Sequence, residues 1–213
     1  MKVEIWSDIM CPFCYIGKRH FEKAIAQFEQ THSIEIEWKS FQLDPTIPKS
    51  VEKVSVYQYL ADAKGISFEE SKKMHDNVVQ SAKNVGLTYN YDNAIIANSF
   101  DAHRMIQFAK SVELGDQVEE ALFKAYFTDG KNIGDFNDLM DIGESIGLNK
   151  LDLKAVLESE QFANEVKNDI AEAQKIGVRG VPFFVFDRKY AVSGAQPISV
   201  FIETIEKVLS ESK

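Results

Sequence analysis

The stretch Trp6–Phe21, WSDIMCPFCYIGKRHF, carries both cysteines of a 213-residue chain, Cys11 and Cys14, with Pro12 and Phe13 between them. Two thiols at this spacing can be half of a zinc site, a structural staple or a redox dithiol. A disulfide stabilises mainly by closing a long loop of the unfolded chain, and this loop is nearly the shortest possible, so a staple gains little. A structural zinc site needs about four ligands. The two thiolates would need help from His20, His32, His75 and His103, which are scattered without paired spacing. A lone Cys-x-x-Cys is an incomplete zinc site, and no resident metal or cofactor is expected.

The sequence around the pair shows what holds it. Val3 and Ile5 alternate with Lys2 and Glu4, a short strand ending near Ser7. Pro12 suits a first helical turn, and Phe21, Ala24, Ile25 and Phe28 follow at helical spacing, so Cys11 falls at a helix N-terminus. Ile34, Ile36 and Trp38 on one face, with Glu35, Glu37 and Lys39 on the other, give a second, half-exposed strand. From Pro45 to Gly177 the pattern is helical only. A capping box of Ser67 and Glu70 heads the stripe Met74, Val78, Ala82 and Val85, and another helix starts at Asn98 or Ser99. Three more stripes follow: Val118, Ala121, Leu122, Ala125 and Tyr126; Phe136, Leu139, Met140 and Gly143; and Val166, Ile170 and Ala173. Such a segment is too long for a loop and needs a small core of its own.

After Gly177 the strands return, with Pro182–Phe186, a turn at Asp187–Lys189 and Tyr190–Ser193 pairing back as a hairpin. Pro197 then opens a terminal helix that turns Ile198, Phe201, Ile202, Ile205, Val208 and Leu209 inward. Residues 1–44 and 178–213 are therefore expected to share one sheet, with 45–177 inserted as a helical subdomain.

Composition limits the partners. Lys and Arg number 24 against 33 Asp and Glu, a formal charge of -9, which excludes a nucleic acid or an anionic membrane surface as partner. No run of about 18 apolar residues is available to span a bilayer. The start MKVEIW enters strand-like alternation without an apolar signal region, so a cytoplasmic chain in reducing surroundings is expected.

CPFC after a first strand, a helical insertion, and GVRGVPFF before a hairpin together resemble the thioredoxin fold in its DsbA-like form. More narrowly, SDIMCPFCYIGK, NSFDAHR and GVRGVPFFVFDRKYAVSGAQP are similar to the FrnE-like branch, a mostly cytoplasmic group of dithiol-disulfide oxidoreductases. The resemblance implies an α/β thioredoxin fold with a large all-helical insertion, acting on protein or small-molecule disulfides. It also implies a cis Val181–Pro182 bond facing the dithiol, freeing the Val181 backbone to pair with an extended substrate. Read from its residue type alone, Pro182 has the plainer reading of an edge-strand proline, which the resemblance outweighs. The dipeptide Pro12-Phe13 departs from the Pro-His of periplasmic members.

The chemistry of the residues agrees with that implication. A helix N-terminus offers free N–H groups and partial positive charge to a thiolate, and Cys11 is so placed. Cys14 lies one turn on, within reach of a sulfur–sulfur bond. Cys11 is thus the expected nucleophile and Cys14 the resolving thiol, in the reductase or isomerase direction. Pro12, Phe13, Val181 and Pro182 are the expected substrate contacts. Asp8, just before the dithiol, is a candidate for proton transfer, a like charge raising a thiol, or a helix cap. His103 reads as a packing residue. Phe13, Tyr15 and Trp6 suit an apolar rim, with Trp6 better suited to the core, and Lys18, Arg19 and Lys23 a solvated face. Two other functions fit the layout. One is a glutathione-dependent isomerase or transferase of the kappa-class or chromene-carboxylate type, in which Ser typically replaces the first cysteine. The other is a chaperone-like binder of unfolded chains. Glutathione is a candidate partner in addition to the disulfide substrates.

Overall fold

The structure, a computed structural model, describes residues 1–28, 33–49 and 54–211, so His32 lies outside the described residues. By its internal contacts the chain divides into Met1–Leu43 with Asn164–Lys213 and a second unit, Asp44–Ala163.

The first unit is built on a four-stranded mixed sheet. β1 (Lys2–Ser7) runs parallel to β2 (Glu35–Ser40), and antiparallel to β3 (Phe183–Phe186), which pairs with β4 (Tyr190–Ser193) in a hairpin. The order is β2-β1-β3-β4, which makes β3 an interior strand. Pro182 therefore cannot be an edge-strand proline; it is buried immediately before β3. Strand alternation divides the side chains. Val3 and Ile5 pair with Phe186 and Phe184 and face α1 (Pro12–Ile25) and α9 (Ile198–Glu211), where the Phe21 ring lies 5.4 Å from Phe184 and 5.9 Å from Phe201. α1 stops at Ile25, so Phe28, expected on its stripe, lies beyond the helix in a turn.

On the opposite face Trp6 and Val185 meet Ala173 of α8 (Ala163–Lys175) and Val178. The Trp6 indole N–H donates to Asp169 O at 3.0 Å, and Ser40 N–H donates to the Asp169 carboxylate at 2.9 Å. Lys39 adds ion pairs of 3.3 Å to Asp169 and 3.4 Å to Glu172. These bonds fix the second face of the sheet to α8. By internal contacts residues from Asn164 onward, α8 among them, group with the sheet rather than with the helical unit expected to reach 177, and Ala173 of the α8 stripe packs on Trp6 and Val185.

The second unit is helical. α2 (Val56–Lys64) starts at an Ser55 cap, and α3 (Phe68–Asn84) starts at the expected box, with Glu70 N–H on Ser67 Oγ and Ser67 N–H on the Glu70 carboxylate. The inward face of α3 is Ser71, His75, Val78 and Ala82, whereas Met74 is 42% exposed. The buried Ser71 hydroxyl explains the rotation, since it donates to Tyr57 O at 2.7 Å. α4 (Phe100–Ser111) follows Ser99 and packs on α5 (Gly115–Lys124) and α7 (Lys150–Leu157), with α6 (Phe136–Ser145) between them in sequence. The stripe expected to continue through Ala125 and Tyr126 does so as a π-helical turn, Ala125–Asp129.

One buried cation holds this unit's centre. Arg104 in α4 pairs with Asp101 at 2.8 Å and donates to Gln161 O, Leu157 O, Val156 O and Ser159 O. Replacing it leaves four carbonyls short of a donor and Asp101, among the described residues, with the exposed Lys49 as its remaining cation. Arg104→Leu is expected to destabilise by about 3 kcal/mol, the lower range for breaking a buried ion pair, read as a lowered urea midpoint.

Candidate active site

Cys11 ends the tight turn after β1. Its backbone is extended, its N–H donates to Asp8 O at 2.9 Å, and it is the N-cap of α1 with Pro12 in the first turn. No side-chain cap bond is made at Cys11; in the first turn Pro12 has no N–H and the Cys14 N–H is on Cys11 O, which leaves the Phe13 N–H at this helix end. The Cys11 thiol donates to Val181 O at 3.4 Å, and the Val181–Pro182 peptide is cis. The structure thus brings Cys11, Cys14, Pro12, Val181 and Pro182 to one place at the end of the sheet.

Both cysteines are free thiols, and both are buried: Cys11 is 4% exposed and Cys14 1%. Cys14 sits inside the first turn, its N–H on Cys11 O at 3.0 Å. Burial pushes the Cys14 thiol well above the ordinary cysteine value, and the neighbouring Cys11 adds to the shift. The Asp8 backbone and the Ser7 side chain act weakly in the opposite sense. Phe13, between the cysteines, is 46% exposed and is the apolar surface beside them.

Asp8 is buried, and its carboxylate accepts N–H groups of Met10 at 3.3 Å and Leu43 at 2.7 Å. It therefore ties the turn before the dithiol to the segment after β2 and does not cap α1. Trp6 is core, as its size favours, and Tyr15 is buried with its hydroxyl on Arg19. Lys18 is not on a solvated face. It is 3% exposed, with its ammonium on Glu22 and 5.9 Å from the centre of the Trp38 ring. His20 Nδ1 lies 2.8 Å from Gln196 O, and His75 Nδ1 2.8 Å from Ser71 O. His103 is buried in α4 of the second unit. Among the described residues no three His, Cys, Asp or Glu side chains gather as a metal site.

A residue that periodicity alone passes over sets the spacing of the site. Gly17 of α1 faces Pro182, and a Cβ there would meet Pro182 Cγ at 2.9 Å and Ala195 at 3.5 Å. Its absence lets the dithiol helix lie directly on the Val181–Pro182 segment, which Gly194 N–H holds from behind at Pro182 O (2.8 Å). Only the GK pair after CPFCYI hints at it in the sequence.

Two outcomes follow from this geometry. Gly17→Ala is expected to cost about 1–3 kcal/mol by overpacking, and to slow any reaction of Cys11 by moving the helix from Val181; urea unfolding and thiol reactivity check both. The raised Cys14 value has a stability consequence of definite sign. The folded reduced protein holds a proton that the unfolded chain loses near pH 8.5, so this contribution is full below about pH 8.5 and fades as pH rises through the folded value. Unfolding under a phosphine reductant is expected to show the loss above that pH, and Cys14→Ala to remove its Cys14 part.

A family model for the DsbA-like thioredoxin domain matches residues 2–206. A solved "probable DsbA oxidoreductase" of Streptomyces coelicolor is 37% identical, with a TM-score of 0.94 over 99% of this chain and 91% of that one. The uncharacterized protein YwbO of Bacillus subtilis is 26% identical over 215 residues, 99% of this chain and 96% of that protein. The cytosolic disulfide reductase DsbM of Pseudomonas aeruginosa shares the fold, with 14% identity and a TM-score of 0.70 over 99% of both chains. With a thioredoxin-type sheet, a dithiol at the head of α1 and a family match across nearly its whole length, the chain belongs to the DsbA-like thioredoxin domain family.

Proposed function

We propose that this protein is a thiol-disulfide oxidoreductase working in the reductase or isomerase direction, with Cys11 attacking a substrate disulfide and Cys14 resolving the mixed disulfide. The observation that carries the reading is the contact of Cys11 Sγ with Val181 O at a helix N-terminus, with Cys14 one turn behind. To attack a disulfide the Cys11 sulfur gives up the S–H that Val181 O accepts. That carbonyl is then open to an N–H of an extended substrate segment, while Pro12, Phe13 and Pro182 supply apolar contact. The motifs SDIMCPFCYIGK and GVRGVPFFVFDRKYAVSGAQP support the FrnE-like branch of the family.

The direction rests on what Phe13 lacks. A group that stabilises the Cys11 thiolate stabilises the reduced state and makes the disulfide more oxidising. The Phe13 side chain has no N–H and no charge to add to the helix end. A potential between about -270 and -180 mV follows, the span from thioredoxin to protein disulfide isomerase. In a reducing cytoplasm, where we place the protein, such a dithiol rests reduced. DsbM, of the same fold, has been solved with GSH, which supports glutathione as the recycling thiol. A glutathione-dependent isomerase of similar layout has Ser at the first position and no use for the second sulfur, so the pair Cys11 and Cys14 favours the redox reading.

Cys14→Ser is expected to accumulate mixed disulfides with cell proteins, and Cys11→Ser to trap none and to leave insulin unreduced. Equal trapping by both variants would remove the assignment. Equilibration with glutathione buffers, read by alkylation of Cys11, checks the potential; a value near -120 mV, that of the strong oxidant DsbA, would overturn the direction.

A further inference from the structure

The loop Gly194–Pro197 joins β4 to α9 and touches both the segment entering β3 and the dithiol helix. Gly194 takes left-handed backbone, and its N–H donates to Pro182 O at 2.8 Å, one step past Phe183 and Ser193, the last paired residues of the β3–β4 hairpin. The loop is also stiffened from within. Gln196 N–H donates to Gly194 O at 2.9 Å, and the Gln196 side-chain amide donates to Ser193 O at 2.8 Å. Its other contact is with α1. A Cβ on Gly17 would lie 3.5 Å from Ala195, and on the same helix face, one turn on, His20 Nδ1 meets Gln196 O at 2.8 Å. A carbonyl oxygen can only accept, so the ring holds its proton on Nδ1 and donates it.

One hydrogen-bonded path therefore runs from His20 through Gln196 and Gly194 to Pro182 O. It starts on the helix whose N-cap is Cys11, and it ends one residue from the carbonyl that Cys11 Sγ meets at 3.4 Å. The path closes a frame in which the helix carries the sulfur, the loop holds the carbonyl, and His20 joins loop to helix. We propose that His20 is a positioning residue for peptide substrates: by bracing the Gly194–Pro197 loop on α1, it holds Val181 O where a substrate N–H pairs as Cys11 attacks. The inference rests on the proposed docking of an extended substrate at Val181, and it names the substrate class that the brace serves, a disulfide carried on polypeptide backbone. In that attack the Cys11 thiolate bonds one sulfur of the disulfide, and the other sulfur leaves as a thiolate with the electron pair of the broken bond. His20 takes no part in that exchange of bonds. A disulfide without a backbone N–H beside it consequently gains nothing from the brace.

Two mixed disulfides of 5-thio-2-nitrobenzoate test this, one with the cysteine of an extended peptide and one with 2-mercaptoethanol. Each releases the same coloured thiolate when Cys11 attacks. His20→Phe keeps a ring of similar shape and loses the donor. It is expected to lower the second-order rate with the peptide about fivefold, the effect of losing one neutral hydrogen bond, and to leave the rate with the small disulfide within about twofold. His20→Asn, whose side-chain N–H stands where Nδ1–H does, should recover most of the peptide rate. Amide hydrogen exchange reads the frame without any substrate: the Gly194 N–H should be protected in the unsubstituted protein and in His20→Asn, and exchange faster in His20→Phe. A Gly194 amide that exchanges freely in the unsubstituted protein, a peptide rate unchanged by His20→Phe, or equal slowing of both disulfides would overturn the brace. Failure of the docking reading looks different. Replacing the peptide's amide hydrogens in turn by N-methyl groups would then leave the unsubstituted protein's rate unchanged, or Cys11→Ser would release the thiolate as fast as the parent.

Discussion

The antiparallel pairing of β1 with β3 is the constraint on which the site depends. It sets Ile5 against Phe184 and Trp6 against Phe183, so the chain leaving β1 and the chain entering β3 meet at the same end of the sheet. That is how Cys11 and Val181, 170 residues apart in sequence, come within hydrogen-bond distance. Closing so long an excursion costs little more entropy than closing one of half the length. The insertion therefore places no large thermodynamic demand on the sheet, provided it folds around its own core. Arg104 and its carbonyls give it one.

Both faces of the sheet contribute, by different chemistry. On the α1 and α9 face the contacts are aromatic and aliphatic, with Phe21 at the centre of Phe184, Phe186 and Phe201. On the α8 face Trp6 is held by an indole N–H to Asp169 O, and the rim carries Lys39, Glu172, Arg188 and Glu4 in linked ion pairs. Arg188 and Asp187 take left-handed backbone at the β3–β4 turn, and Asp187 accepts Lys2 N–H there, so the hairpin end is fixed to the start of β1. The strand that presents Pro182 is consequently anchored at its far end as well as beside the dithiol.

What the sequence disclosed and what it concealed follow from how local each signal is. Pro12, the Ser67–Glu70 box and Pro197 are punctuation read within a few residues, and the helices they open stand where the pattern puts them. α2 and α7, nine and eight residues long, offer too short a stripe to be recognised, although Asn149 caps α7 as such a residue should. Periodicity identifies α8 as a helix but cannot say which core its stripe enters. Lys18 was misjudged because residue type stood in for environment: its stem and ammonium are satisfied by Trp38 and Glu22, which only the tertiary structure brings together. Cys11 and Cys14 are legible as a neighbouring pair at a helix start because Pro12 and the two-residue spacing are local signals. Gly17 is legible only in three dimensions, since its importance is an absent atom opposite Pro182.

The two sulfurs are unequal for a physical reason. Two thiolates in contact in a buried site repel, so a dithiol that ionises both at once is unfavourable, and one that ionises neither is inert. Placing Cys11 at the helix cap and Cys14 beneath the first turn gives the two sulfurs different surroundings. Burial and its neighbour hold Cys14 as a thiol. Once Cys11 is bound in a mixed disulfide it can no longer carry a charge, and that opposition to ionising Cys14 disappears; the desolvation remains. In the proposed reaction, therefore, substrate capture itself removes part of the barrier to substrate release, and what is left is the cost of charge on a buried sulfur.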